Sequence, residues 1–507
     1  MIAAAYVIVS PASEDLAAHL LRAKLFATEG FGIWNNWWYG GHNVPGYSVL
    51  FPPLGALLTP QAAGAIAIVP TAALFEALAR RRFGEQAWLG ALWFGAATST
   101  SLFTGRLTFA FGLLPAVASA LALQRRRPGT AAALAALTAL ASPVDAVFAA
   151  LAGAAQAAGA YLEHRELRGA LPGLGVIVAA AAPVLALAIA FPEGGYEPFA
   201  FSALWPLVLI SAAFVFVTPR EEPTLRMGAA LYGIGCVLSF AVASPIGSNV
   251  TRLGPLIAGP LLALLWWPRR RVALAVLAIP LLYLQWQAPV RDERTADDNV
   301  AVTDAYYQPV ISYLSRQTGP PFRIEIPFTP FHWEAYRIAP RFPLARGWER
   351  QLDTKYNALF YNGTLTPASY DAWLRQLAVR FIAVPRTTVD YAAADEVRLI
   401  NRGLPYLRLV DRTANWRIYA VTDATPIVQG PATLRGLGPN WLQLRASRPG
   451  TSLIRVRWSP YWAVTQGSGC VAAAGGFTQL RVRRPGPVRV AIRFSLTRIG
   501  ARTPRCS

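Results

Sequence analysis

Apolar and polar positions alternate on two different scales along this chain. Between about residues 61 and 288, apolar runs follow one another with short polar breaks: 61–79, 87–104, 107–123, 129–141, 144–161, 171–191, 200–217, 227–244, 253–267 and 271–288. Most approach the ~20 residues that a helix needs to cross a bilayer core, so they predict membrane helices. The run 129–141 is short. With 144–161 it predicts a broken pair, tolerated where backbone lines a cavity. Met1–Pro11 is apolar but too short to cross; counted as part of a first span, it brings the number to eleven. Between it and the next run lies Ser13–Pro53, too polar for lipid, which predicts a long loop.

Beyond residue 290 the pattern becomes that of an ordinary globular sequence. Asp304–Arg316 and Tyr370–Leu377 carry helical spacing, and Arg323–Pro327, Arg380–Pro385 and Trp416–Val421 read as strands. Leu442–Ala446, Ser452–Trp458, Leu480–Arg483 and Val488–Phe494 alternate apolar with polar or basic residues. Turns such as Arg448-Pro449-Gly450 and Arg484-Pro485-Gly486-Pro487 separate them, which predicts a small β-sandwich. The expected architecture is a membrane all-α domain over 1–290 with about 10–11 transmembrane helices and a first outer loop at 12–53. An extracytoplasmic α/β domain over 291–425 and a β-sandwich-like domain over 426–507 follow.

Charge adds sidedness. Only 15% of the residues are charged, and the formal net charge is +20. A basic balance can mark a nucleic-acid binder, but much of the arginine falls in short clusters between apolar runs, so no nucleic acid is expected as a partner. Arg80-Arg81-Arg82, Arg125-Arg126-Arg127, Arg165 with Arg168, Arg220 with Arg226, and Arg269-Arg270-Arg271 occupy every second loop. Positive residues favour the cytoplasmic side. The alternate loops, and residues 291–507 with them, are therefore expected outside. Arginine in place of lysine, with alanine-rich spans, suggests a GC-rich bacterial genome and hence a multi-pass protein of the bacterial plasma membrane. Cys236 lies inside a span and reads as a packing residue. Cys470 and Cys506 in the tail are either a disulfide, if the tail is extracytoplasmic, or two free thiols.

No soluble-enzyme motif is present: no P-loop, dinucleotide fingerprint, HExxH, metal-spaced Cys/His set or nucleophile elbow. That favours a lipid-embedded reaction or a transport role. The outer loops hold Asp15, His19, Arg106, Asp145, Glu193, Glu197, Asn249 and Arg252, which are expected to converge on a polar cavity. If Asp15–Lys24 is helical, Asp15, His19 and Arg22 share one face. Ser13 would cap that helix, with Glu14 and Asp15 in its first turn. The chemical reading makes Asp15 a general base or cation ligand, with His19 tuning it or contacting phosphate and arginines holding a leaving phosphate. Trp37, Tyr39 and His42 would cover the same site. The aromatic run Phe328–Trp333 and Trp348 are either core or a carbohydrate-facing surface.

An acidic pair in the first outer loop, followed by many spans and an extracytoplasmic domain, resembles the glycosyltransferase-C superfamily. The segment WYGGHNVPGYSVLFPP is more closely similar to bacterial polytopic proteins with a 6-pyruvoyl-tetrahydropterin-synthase-related membrane domain. The resemblance covers roughly residues 10–290. It implies transfer of a sugar from a polyprenyl-phosphate-linked donor to a cell-envelope or glycan acceptor on the outer face. Asp15, with Glu14 beside it, would be the first-loop carboxylate. The expected catalytic residues are Asp15, Glu14 and His19. Arg22, Trp37, Tyr39, His42, Arg106 and Arg252 are expected to bind substrate, the last two holding lipid-linked phosphate with planar, always-charged forks. The expected partners are the lipid-linked donor, the acceptor and the membrane. No cofactor is required by this reading and no protein metal site is expected, although the acidic pair leaves room for a divalent metal. The alternatives are a transporter or flippase of lipid-linked glycan, and a non-catalytic envelope scaffold.

Overall fold

The computed structural model describes residues 1–506, His164 by its backbone alone. It divides into two compact units. The first comprises Met1–Ala23, Gly46–Ala188 and Gly194–Asp297; the second comprises Lys24–Pro45, Ile189–Glu193 and the chain from Asp298.

The first unit is helical. Its elements are α1 (Ile2–Val9), α2 (Leu16–Glu29, which runs on into the second unit), α3 (Phe51–Leu58), α4 (Pro60–Phe83), α5 (Trp88–Thr98), α6 (Thr100–Phe103) and α7 (Leu107–Gln124). Then come α8 (Pro128–Ala141), α9 (Pro143–His164), α10 (Leu167–Ala190), α11 (Phe201–Val217), α12 (Pro223–Ala241), α13 (Leu253–Trp266) and α14 (Arg271–Asp297). Proline stands in the first turn of α3, α4, α8, α9 and α12, where its missing N–H costs nothing and its fixed φ suits the helix. Arg80, Arg81 and Arg82 fill the last turn of α4, complementing the negative end of the helix.

Among the described residues, seven helical stretches are long and apolar enough to cross a membrane. Pro60–Phe103 is one of them by composition, yet it doubles back at the 3-10 turn Gly84–Ala87 so that Phe75 stacks on Phe94 at 3.8 Å. The shorter α8 and α11 complete the set, and every apolar run expected to form a helix does so. The chain is a multi-pass membrane protein. Small residues let α8, α9 and α10 approach closely: Ala131, Ala135, Ala139, Ala146, Ala149 and Ala180 are all buried together, the usual device where no hydrophobic effect drives helices together. Leu92, Val178, Leu185, Phe216, Val272 and Ile279 point outward and are exposed, as suits a surface that faces hydrocarbon.

In the second unit, Lys24–Pro45 closes a small ribbon, β1 (Trp34–Asn35) against β2 (His42–Asn43), antiparallel. A four-stranded sheet follows, built from β3 (Arg323–Glu325), β4 (Val379–Pro385), β5 (Leu407–Arg412) and β6 (Trp416–Val421) in the order β3-β4-β6-β5. Helices Asp304–Ser315, Pro367–Gln376 and Tyr391–Asn401 accompany it, and Tyr370, Trp373, Leu374, Ile382, Val384 and Ile400 share one core. The remaining strands are β7 (Val428–Gln429), β8 (Ala432–Leu437), β9 (Trp441–Ala446), β10 (Gly450–Arg457), β11 (Trp462–Gln466), β12 (Gly469–Ala474), β13 (Phe477–Val482), β14 (Gly486–Ile492) and β15 (Arg505–Cys506). They form a five-stranded sheet, β15-β12-β13-β10-β7, and a four-stranded one, β11-β14-β9-β8. Leu434, Leu442, Leu444, Ile454, Val456, Leu480, Val488 and Val490 fill the core of this sandwich. Cys470 and Cys506 are cross-strand partners and form a disulfide. Phe328, Phe331, Trp333 and Trp348 are buried, so the aromatic run is core and presents no carbohydrate face.

Candidate functional site

The 14-residue α8 rises about 21 Å, short of a ~30 Å bilayer core. Its last carbonyls are satisfied by the loop before α3. The Val49 and Leu50 N–H groups donate to the Leu140 carbonyl at 2.9 and 3.2 Å, and Ser48 Oγ donates to the Ala141 carbonyl at 2.6 Å. Ser142 then starts α9, its hydroxyl accepting from the Asp145 N–H at 3.4 Å. A helix end that would otherwise strand carbonyls thus fixes the loop that carries Tyr47.

The acidic pair sits in the turn that opens α2. The Leu16 N–H donates to the Ser13 carbonyl at 3.3 Å, and the His19 N–H to the Asp15 carbonyl at 3.4 Å. Gly105, between α6 and α7, has φ +71°, and a Cβ there would lie 2.5 Å from Ser13 Oγ and 3.1 Å from the Asp15 nitrogen. Only glycine permits this approach. It sets Arg106, at the start of α7, within the electrostatic reach of Asp15, Glu14 and Asp292. Arg252 ends the 3-10 turn Gly247–Arg252 before α13, its guanidinium 5.6 Å from the Phe109 ring. Its charge acts on His19, Tyr47, Arg106 and Asp145. Arg22 lies 3.5 Å over the Tyr47 ring, and His19 packs edge-on to Phe51 at 5.3 Å.

These groups shape one another. His19 is 1% exposed and neither ring nitrogen has a hydrogen-bond partner of normal geometry. Burial first, then the positive charges of Arg22 and Arg252, push its pKa well below the usual value, which keeps the ring neutral near pH 7. Burial raises the Tyr47 hydroxyl pKa, while Arg22 pulls it back. Burial and then the like charge of Arg252 lower the Arg106 pKa, and Asp15 and Glu14 offset them. Asp145 is fully buried and neither carboxylate oxygen has a hydrogen-bond partner of normal geometry; Asp292 pairs with Arg291 at 2.9 Å. Three arginines and a neutral imidazole thus surround one acidic turn. Such a set can hold a phosphate and accept a proton beside it.

Of the expected site residues, Glu14, Asp15, His19, Arg22, Arg106 and Arg252 gather in the first unit. Asp145, expected among the outer-loop polar residues, joins them, as do Tyr47 and Asp292, which the sequence did not single out. Trp37, Tyr39 and His42 belong to the second unit, where the Tyr39 hydroxyl and the His42 ring are committed to protein and Trp37 is held through its backbone. Tyr39 Oη donates to the Gly347 carbonyl at 2.6 Å. His42 stacks on Trp38 at 5.9 Å with its ring nitrogens near Asn35 and the Asn43 carbonyl. The Trp37 carbonyl accepts from the Leu344 N–H at 2.8 Å. Ser13 does not cap α2: its hydroxyl is buried without a hydrogen bond. Glu193 also lies in the second unit, accepting from Tyr356 Oη at 2.6 Å, and Glu197 accepts from Ser248 Oγ at 3.3 Å. Among the described residues no three metal-ligating side chains come together.

The second unit holds a separate buried charge cluster. Arg346, 1% exposed, pairs with Asp353 at 2.5 Å and Glu396 at 3.3 Å. Arg350 bridges to Asp390 at 2.9 Å, and His332 stacks on Trp348 at 3.7 Å with Nε2 3.6 Å from Asp390. Glu334 accepts from Thr329 Oγ1 at 2.6 Å. Burial pushes the Glu334 pKa up to about 8 and the Glu396 pKa up to about 7, the latter against Arg346; burial lowers the His332 pKa to about 4.

No protein-family model and no curated protein matches the chain. Among solved structures, it is similar to ArnT from Cupriavidus metallidurans bound to undecaprenyl phosphate, at 14% identity and a TM-score of 0.39, over 81% of this chain and 94% of that one. It is also similar to the archaeal oligosaccharyltransferase AglB from Archaeoglobus fulgidus, in complex with an inhibitory peptide and a dolichol-phosphate. There the identity is 13% and the TM-score 0.31, over 74% of this chain and 66% of that one.

Proposed function

We propose that the chain is an integral-membrane glycosyltransferase that moves a sugar from a polyprenyl-phosphate-linked donor to a cell-envelope acceptor on the outer face. The observation that carries this reading is the placement of Arg106 beside the Glu14-Asp15 turn, with Arg252 and Arg22 completing a cationic rim at the ends of apolar helices. Asp15 takes the proton of an acceptor hydroxyl as its oxygen attacks the anomeric carbon. The bond from that carbon to the phosphate oxygen breaks, and Arg106 and Arg252 stabilise the charge left on the lipid phosphate. Fixed cations aimed at developing charge in a poorly hydrated site supply a large share of such a barrier reduction. His19, neutral, adds no further positive charge and can accept a hydrogen bond from substrate. Glu14 neighbours the base, and Trp37, Tyr39 and His42 act through the fold of the loop.

The test is transfer of radiolabelled sugar from a polyprenyl-phosphate donor in membranes containing the full chain. Asp15→Asn should lower transfer ~100-fold or more with unchanged membrane insertion. Arg106→Gln and Arg252→Gln should weaken donor use, and lysine should restore it only in part. Product formation by Asp15→Asn at the native rate overturns the assignment.

A further inference from the structure

From Ala424 to Cys506 the chain contains 13 arginines and no lysine, aspartate or glutamate. The last loop of the sandwich concentrates this charge. It leaves β14 at Arg493, passes the 3-10 turn Leu496–Arg498 and returns as β15, tied to β12 by the Cys470–Cys506 disulfide. Arg498 donates to the Pro460 carbonyl at 3.1 Å and to the Thr503 carbonyl and hydroxyl at 2.7 and 3.0 Å. Arg505 donates to the Arg493 carbonyl at 2.8 Å. These partners are neutral oxygens, so among the described residues four arginines, Arg493, Arg498, Arg502 and Arg505, share one short loop with no Asp or Glu side chain paired to them. Burial, and then Arg498 and Arg493, lower the Arg505 pKa, a repulsion that a bound anion would relieve.

The same loop exposes two apolar side chains, Phe494 at 48% and Leu496 at 74%. Phe494 packs on Tyr461 at 5.2 Å and Phe191 at 5.7 Å, and Tyr461 Oη donates to the Ala190 carbonyl at 2.7 Å. Ala190 is the last residue of α10, one of the membrane-length helices. Ala190 and Phe191 thus tie the loop to the chain positions where a membrane-length helix ends, and such ends lie at the bilayer interface. There, aromatic and aliphatic groups enter the acyl boundary while arginines meet headgroups.

We propose that Arg493–Arg505 is a docking surface for the anionic phospholipid headgroups of the bilayer. A soluble polyanion would satisfy the arginines but leave Phe494 and Leu496 in water, so the paired apolar and basic character favours lipid.

The test uses the full chain in nanodiscs of phosphatidylcholine alone or mixed with phosphatidylglycerol. A Leu496→Cys label should be quenched by brominated lipid, more strongly with phosphatidylglycerol. Enrichment of that lipid on the protein should fall about fivefold per arginine removed in Arg493→Gln and Arg502→Gln, and persist in Arg493→Lys and Arg502→Lys. The lysine variants separate loss of charge from loss of fold. A label equally open to aqueous iodide in both discs overturns the proposal. So does binding that follows a soluble acidic polysaccharide and ignores lipid charge.

Discussion

Glu334 and His332 show how single buried groups set a pH profile. An unfolded Glu334 ionises near 4.5, whereas in the fold it holds its proton up to about 8. The folded state therefore binds more protons over that interval, and stability falls as pH rises through it. His332 works from the other side: its pKa drops from 6.5 to about 4, so stability is lost as pH falls below 6.5. Between the two unfolded values the effects oppose each other. Above pH 6.5 the carboxylic acid dominates, costing about 2 kcal/mol by pH 8. The melting temperature should drop by about 5 °C between pH 6.5 and 8, and Glu334→Gln should shrink that drop in a thermal scan, leaving the smaller share that Glu396 adds. The site residues differ in legibility at this scale. Arg106 and Arg252 stood out because each is a lone arginine at the end of an apolar run. Tyr47 did not, because an aromatic between two turns has no period, and its role depends on a helix end more than 90 residues away (Ser48 meets Ala141).

At the scale of elements, the joint between α6 and α7 decides whether Arg106 faces Asp15. Gly105→Ala would place a methyl carbon 2.5 Å from Ser13 Oγ at a φ that disfavours any side chain. Transfer should fall ~100-fold, since displacing reacting groups by about 1 Å costs that much, while the protein still inserts. Transfer at the native rate would show that this contact does not position the site. The long apolar helices were readable because their length is set by the bilayer. Strands β8, β11 and β12 were not. β12, GCVAAA, is small residues with little alternation, and it is a strand because β13 and β15 pair with both its edges. The ribbon β1–β2 was equally hidden: Trp34 meets Trp462 at 5.8 Å and Asn36 donates to the Gly438 carbonyl at 2.8 Å, partners no local pattern could reveal.

For the whole molecule, the alternation of arginine clusters predicts sidedness, and cysteine accessibility measures it. Arg125→Cys should be shielded from a membrane-impermeant thiol reagent in intact cells and react after permeabilisation. Thr433→Cys, exposed on the sandwich, should react in intact cells. The reverse result would invert the topology and remove the outer-face assignment.

The hairpin at Lys24–Pro45 has a consequence for biosynthesis. Its residues are made near the start of translation, yet the carbonyls that receive their N–H groups, Ala335 for the Trp38 indole and Pro439 for the Asn36 backbone, are polymerised some 300 to 400 residues later. At 5–20 residues per second, the nascent segment waits roughly 15–80 s with three tryptophans uncovered. A ribosome stalled before the tail is complete would release a chain whose earliest loop can never close, a natural target for quality-control proteases.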